Sequence, residues 1–305
     1  LEKGGYGMDA QWIDEFHHAL RVTAGGDKTG YYSDFNGISH LAKAYEDAYV
    51  YDGQYSPHRK KKFGIKATEA TGKQFVVFSQ NHDQVGNRML GERSSQLFSF
   101  EMQKLLAAAV LVSPYLSMLF MGEEWSEDAP FQYFVSHTDK DLAEAVRKGR
   151  KAEFEAFHAE GEAPDPVAEE TFLASKLQWN LLEKEPHQTM LSYYKTLIQL
   201  RKELPALRQL SRQNLEVEVD EATQTLMLRR WEGGQQVVCL MNFSKAARQV
   251  SLPAEPKIWF LALSSADKQW GGTASTDATA KGASDVLLQP ESATIYVSTQ
   301  VFLKK

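Results

Sequence analysis

Directly after the apolar run Phe75–Phe78, the chain reads Ser79-Gln80-Asn81-His82-Asp83-Gln84-Val85-Gly86-Asn87-Arg88. An amide, an imidazole and a carboxylate in succession can reach neighbouring hydroxyls of a small polyol, with Gln84 and Arg88 as further polar neighbours. A carboxylate at Asp83 can accept hydrogen bonds from two adjacent hydroxyls. Such bonds strengthen as a sugar ring flattens toward an oxocarbenium ion. The same residues also suit a polar turn in which Asp83 caps a helix, and residue type alone leaves both readings open. A second cluster, Gly122-Glu123-Glu124-Trp125, follows the apolar run Ser117–Met121. Glu123 could act in the same site and Trp125 could stack on a sugar face, or both could belong to a packed loop. A third cluster near the start holds Asp9, Asp14, His17 and His18. Adjacent histidines point in different directions on a helix, which disfavours a bidentate metal site and leaves one histidine to line a pocket. No pattern of clustered histidines and carboxylates has metal-ligand spacing, so neither a metal nor another cofactor is expected.

Positioning these clusters requires strands whose carboxyl ends share one side of a sheet. Phe75–Phe78 reads as a strand buried on both faces, Phe98–Val112 as a helix stopped by Pro114, and Ser117–Met121 as the next strand. That order is the signature of a βαβ unit and predicts a parallel sheet. Tyr6–Ala10 suggests a further strand, Trp12–Val22 a helix or turn, Leu142–Phe157 a charged helix, and Gly161–Pro166 a loop. Thr189–Glu203 reads as an amphipathic helix ended before Pro205. From Asn214 the period changes to two. Leu215–Val219, Thr225–Trp231, Gln236–Phe243, Arg248–Leu252, Lys257–Leu263, Val286–Leu288 and Ala293–Val297 read as short strands of an antiparallel β-sandwich. The fold class expected is α/β plus all-β, with one domain over 1–208 and the β domain over 209–305.

At 305 residues, with a formal charge of −6 and 24% charged residues, the chain has the composition of a globular protein without the basic face that nucleic acid or an anionic membrane would need. The basic run Arg59-Lys60-Lys61-Lys62 reads as a solvated loop. The single cysteine, Cys239, sits in the apolar run Val237–Met241 and reads as an inert core thiol. Without a signal-like or membrane-spanning run, the expected location is cytoplasmic.

The run Asn81–Arg88 (NHDQVGNR) resembles the strand-seven motif of glycoside hydrolase family 13, the α-amylase family. Gly5–Leu20 (GYGMDAQWIDEFHHAL), Gly30–Phe35 (GYYSDF), Leu119–Trp125 (LFMGEEW), Pro130–His137 (PFQYFVSH) and Gly149–Phe154 (GRKAEF) match as well, and the resemblance extends over essentially all of the chain. The combination of FHHAL, NHDQVGNR and FQYF narrows it to members that cleave the α-1,4-glucosidic bond of malto-oligosyltrehalose and release trehalose. The resemblance implies a (β/α)8 barrel followed by a β domain, an α-glucan substrate and a retaining mechanism. It also implies that Asp83 stabilises the transition state and that His82 binds substrate hydroxyls beside it. Asn81, Gln84, Arg88, His17, Asp14, Glu123 and Trp125 would complete the substrate-binding set. The motifs for the family's nucleophile and general acid precede the first residues that match. A retaining hydrolase needs two carboxyls roughly 5–5.5 Å apart. The expectation is therefore a C-terminal piece of such an enzyme, covering roughly barrel strands six to eight, inactive alone and prone to self-association through long exposed sheet edges. Two alternatives stay open: an α-glucan branching enzyme of the same family, and a non-catalytic carbohydrate-binding fragment whose Trp231, Trp259 and Trp270 dock on glucan.

Overall fold

The computed structural model describes residues 6–26, 28–156 and 163–299. Gly5 of the first matching stretch, the expected helix end at Phe157 and the start of the expected loop at Gly161 lie outside the described residues. Strand β1 (Gln11–Trp12) leads into helix α1 (Asp14–Thr23), and a 3₁₀ turn at Gly30–Asp34 precedes α2 (Ile38–Asp47). The hairpin β2 (Asp52–Ser56) and β3 (Lys61–Gly64) follows, then β4 (Phe75–Val77), α3 (His82–Gly86), α4 (Ser94–Leu97), α5 (Phe100–Leu111) and β5 (Leu116–Ser117). After a 3₁₀ turn at Glu123–Trp125 come α6 (Lys140–Ala156), α7 (Glu169–Ala174), α8 (His187–Glu203) and α9 (Pro205–Arg208). The rest is β structure: β6 (Leu215–Asp220), β7 (Thr225–Glu232), β8 (Gln235–Asn242), β9 (Arg248–Ser251), β10 (Ile258–Ser264), β11 (Thr279–Lys281), β12 (Asp285–Leu288) and β13 (Ser292–Val297). The segments form two compact units: Leu1–Ser79, Phe100–Met118 and Ser192–Lys305 make the first, Gln80–Ser99 and Leu119–Leu191 the second.

In the first unit β1, β4 and β5 pair in that order as a parallel sheet, with Gln11 opposite Phe75 and Val77 opposite Ser117. Phe75, Val77 and Phe78 are buried, which is why this strand reads as a continuous apolar run instead of an alternating one. Two corrections apply to its neighbours. No strand forms over Tyr6–Ala10; pairing begins at Gln11. The expected strand Ser117–Met121 is confined to Leu116–Ser117, prolonged by one bond from the Met118 N–H to the Val77 carbonyl (2.9 Å). Both sheet edges are therefore two residues long, shorter than the edges expected.

Helix α5 is buried along most of its length, Lys104 included. Its carboxyl end meets two guanidinium groups. Arg201 of α8 donates to the carbonyls of Leu111 (2.5 Å), Ser113 (2.9 Å) and Tyr115, while Arg230 of β7 donates to those of Val112 and Ser113 (2.9 Å each) and Gln209 (2.5 Å). Cations at a helix carboxyl end satisfy carbonyls that have no partner within the helix and oppose its dipole.

Each β strand expected after residue 214 is present, and β11 is added. The order in the six-stranded sheet is β11-β10-β13-β8-β7-β6, every neighbour antiparallel. The sandwich expectation needs correction: the second strand layer is only the β9–β12 pair, and helices α2, α5 and α9 also pack against the large sheet. The core shared with the β9–β12 pair contains Met227, Val238, Leu240, Leu252, Trp259, Leu288 and Tyr296. Cys239 lies in the covered sheet, and burial pushes its thiol up to about 12, as befits an inert core residue. The basic run Arg59–Lys61 turns the β2–β3 hairpin, with the Arg59 guanidinium 4.0 Å from the centroid of the Phe63 ring.

Candidate active site

The second unit opens where the chain leaves β4. Asn81 caps the short helix α3: its side-chain oxygen accepts from the Asp83 N–H (2.8 Å), and the Gln84 side chain accepts from the Asn81 N–H (3.1 Å). This reciprocal box satisfies two donors that a helix start otherwise leaves open. It also assigns the capping role to Asn81, leaving the Asp83 carboxylate out of the cap. The Asp83 and His82 side chains remain more than half exposed, 60% and 55%, with His82 Nε2 3.2 Å from the Asp83 carboxylate. Asn81 is buried, and its side-chain Nδ2 has no hydrogen-bond partner. Arg88, one turn further on, reaches the Glu92 carboxylate at 3.4 Å.

Gln80 ties this segment to the second cluster: its Nε2 donates to Glu123 (3.3 Å) and its Oε1 accepts from the Ser94 N–H (3.0 Å). Glu123 is buried on the 3₁₀ turn that follows Gly122. Gly122 has φ +92°, and a Cβ there would meet the Glu127 Cβ at 2.8 Å, so this turn requires glycine. Arg93 holds the segment from below, donating to the carbonyls of Ala129 (2.7 Å) and Met121 (2.8 Å) with its guanidinium 4.9 Å from the Phe120 ring centroid. Trp125 is placed otherwise than expected. Its ring is buried, its Nε1 donates to Glu127 (3.2 Å), and it lies 5.2 Å from Trp179. Trp179, 61% exposed, presents the aromatic surface instead. Tyr133, Phe134 and Phe172 are exposed nearby in sequence motifs or on α7, with Phe134 and Phe172 in edge contact at 5.1 Å. Trp179 and Phe172 carry no local sequence signal beyond being aromatic, and Gln80 and Arg93 act only through long-range contacts.

In the first unit His17 is buried with both ring nitrogens engaged. Nδ1 donates to the Ser79 carbonyl (2.6 Å), which can only accept; Nε2 therefore accepts from the Tyr32 hydroxyl (2.9 Å). His17 thus anchors the chain at the end of β4, whereas the sequence pointed to direct substrate contact. His18 is packed among the rings of Tyr31, Tyr32 and Phe35, each about 5 Å away. Asp14 is exposed in the first turn of α1. Among the described residues no group of three or more histidine, cysteine or carboxylate side chains could hold a metal, and no helix is long and apolar enough to cross a membrane.

The buried groups of α1 set a pH dependence. Burial holds His17 well below the imidazole range, aided by His18 and Arg21, and lowers His18 from 6.5 to about 4. Between pH 6.5 and 4 the unfolded chain binds protons that the folded chain refuses, so these histidines cost stability as pH falls. Glu15 acts oppositely. Burial pushes it from 4.5 to about 7 although the Val50 and Tyr51 N–H groups favour its ionised form. The folded chain keeps that proton between pH 4.5 and 7, so this contribution is present in acid and lost as pH rises through 7. Glu15→Gln is therefore expected to steepen the fall of Tm between pH 7 and 4.5, read from thermal melts of both proteins. Parallel profiles would show that Glu15 does not take up a proton in this range.

A family model described as a domain of unknown function, DUF3459, matches residues 213–295. A malto-oligosyltrehalose trehalohydrolase from Saccharolobus solfataricus is 45% identical over 215 residues, which is 70% of this chain and 36% of that relative. One from Rhizobium sp. strain M-11 is 42% identical over 251 residues, 81% of this chain and 41% of the relative. Among solved structures, a Salmonella typhimurium protein described as an α-amylase superposes with a TM-score of 0.78 at 33% identity, covering 95% of this chain and 47% of that one. The chain spans about two-fifths of the length of these curated relatives. Over the part of these proteins that it spans, the chain is similar to malto-oligosyltrehalose trehalohydrolases and to a protein described as an α-amylase.

Proposed function

We propose that this chain is the C-terminal part of a retaining glycoside hydrolase that cleaves the α-1,4-glucosidic bond of malto-oligosyltrehalose and releases trehalose. In this reading β1, β4 and β5 are barrel strands six to eight, residues 1–208 belong to the barrel and residues 209–305 form the β domain. The observation that carries the reading is the exposed His82–Asp83 pair, 3.2 Å apart and presented from the end of β4 on a capped helix start. Asp83 stabilises the positive charge that develops on the sugar ring, and His82 holds a hydroxyl beside it. Asn81, Gln84 and Arg88 shape that segment, Glu123 is its buried neighbour through Gln80, and His17 fixes the strand end. Asp14, exposed on α1, and the aromatic surface around Trp125 and Trp179 are each assigned to substrate contact in this reading.

The nucleophile and general acid come from the part of the relatives' length that this chain does not span. The chain alone then hydrolyses nothing, because one carboxylate cannot serve as both nucleophile and proton donor. The edges β1 and β5, two residues long, are where the separate piece would self-associate, and the net charge of −6 suits a cytoplasmic enzyme that binds neither nucleic acid nor an anionic membrane. The deciding measurement is an assay of the full-length protein on maltotriosyltrehalose. Release of trehalose is expected; new branch points in an α-glucan without trehalose would instead make it a branching enzyme.

A further inference from the structure

The β domain has three tryptophans that separate cleanly by environment: Trp259 and Trp270 are buried, whereas Trp231 at the end of β7 is half-buried. Strand register places Trp231 opposite Gln236 and Arg229 opposite Glu216. Side chains alternate along a strand, so Met227, Arg229 and Trp231 share a face. Met227 lies in the core shared with the β9–β12 pair. Arg229 and Trp231 lie further along that face, in a cleft of about 650 Å³ lined also by Glu46, Glu216, Gly234 and Gln236. That volume falls in the range of small-molecule sites, roughly 300–1,000 Å³.

The polar groups of this cleft are already ordered. The Arg229 guanidinium donates through Nε and Nη2 to the Gln236 side-chain oxygen (3.1 and 2.9 Å) and through Nη1 to Glu216 (3.1 Å), and its Cζ lies 5.9 Å from the Trp231 ring centroid. An indole thus sits in a frame of amide, guanidinium and carboxylates whose geometry is fixed before any ligand arrives, which lowers the entropy lost on binding. The lining holds two carboxylates, Glu46 and Glu216, and one guanidinium, so the cleft offers no net positive charge to a phosphate or a nucleic acid. The combination suits a neutral polyhydroxylated chain: the apolar C–H face of a pyranose covers the indole while its hydroxyls donate to the carboxylates and accept from the amide and guanidinium.

We propose that the Trp231 cleft is a second carbohydrate site, which holds an α-glucan chain away from the site of hydrolysis. Only the identity of the sugar rests on the proposed function; the cleft itself does not. The test is calorimetric titration of maltoheptaose into this chain, with tryptophan fluorescence followed in parallel. Saturable binding is expected. Trp231→Ala should weaken it about tenfold, the size of one lost aromatic contact and its buried area. Trp231→Phe should retain most of it. A Trp231→Ala protein with a native melt and undiminished affinity would overturn the proposal, as would the absence of saturable binding to the wild-type chain. Loss of binding in Asp83→Asn but not in Trp231→Ala would also overturn it, while leaving the reading of Asp83 intact. Conversely, binding at Trp231 by a protein whose full-length form releases no trehalose would overturn only the hydrolase reading.

Discussion

Replacing Asp83 by asparagine in the full-length protein is expected to lower kcat for trehalose release by about 10³-fold or more, with little change in stability. The substitution keeps the shape of the side chain and removes its negative charge. What that charge does in the folded chain is limited: the carboxylate is 60% exposed, with His82 Nε2 3.2 Å away, and the start of α3 is held by Asn81 and Gln84. An exposed first-turn carboxylate contributes roughly 0.3–1 kcal/mol through the helix dipole. In the proposed role the same charge faces an oxocarbenium ion that develops only in the transition state, where preorganised electrostatic stabilisation is worth far more. The signature is therefore a split, with turnover collapsing while the melt and the KM for substrate move little. A kcat within tenfold of wild type would remove Asp83 from the catalytic set.

Replacing Arg230 by methionine should lower the stability of the first unit by about 3–5 kcal/mol, without any direct effect on substrate contacts. Arg230 is 1% exposed and donates to the carbonyls of Val112, Ser113 and Gln209. Methionine fills similar volume but leaves the Val112 and Gln209 carbonyls without these donors, at roughly 1–3 kcal/mol each. Part of the loss is offset. Burial and the charge of nearby Arg201 already push Arg230 down to about 9, so removing the cation relieves a desolvation cost and a repulsion. Arg230→Lys should fall between the two, since one ammonium cannot span all three carbonyls. Thermal and urea unfolding, followed by the fluorescence of the buried tryptophans, would measure the series. A methionine variant within about 1 kcal/mol of wild type would mean that water replaces the guanidinium at the end of α5.

The elements that the sequence disclosed are those whose burial follows a simple rule. β4 is covered on both faces and reads as an unbroken apolar run, and the β domain strands are punctuated by turn residues on either side. α2 was not legible, because Ile38–Asp47 mixes apolar positions with His40, Lys43 and Glu46 and shows its apolar side only once packed on α1. β11 is too short and too polar to show a period. β5 is two residues long, and the Met121 carbonyl of the apolar run that read as strand is bonded instead to Arg93, distant in sequence. The same distinction runs through the candidate site. Asn81, His82 and Asp83 are consecutive and could be read directly. Trp125, read as a sugar-stacking surface or as part of a packed loop, is buried with its indole donating to Glu127, and the exposed aromatic is Trp179. Spacing alone does not say which way an indole turns, and Trp179, against which Trp125 packs, is distant in sequence.

The position of β13 bears on how the chain is made. In the sheet it lies between β8 and β10, yet in sequence it follows both. A ribosome releasing roughly 5–20 residues per second therefore delivers two ribbons, β6-β7-β8 and β10-β11, before the strand that joins them. For seconds the nascent chain carries two apolar edges that recognise the same missing strand, on its own molecule or on a neighbour emerging from the same message. A transcript cut short before Ser292 would leave that state permanent. The centre of this sheet is the last part to be synthesised, and its safety in the cell depends on the speed with which β13 finds its slot.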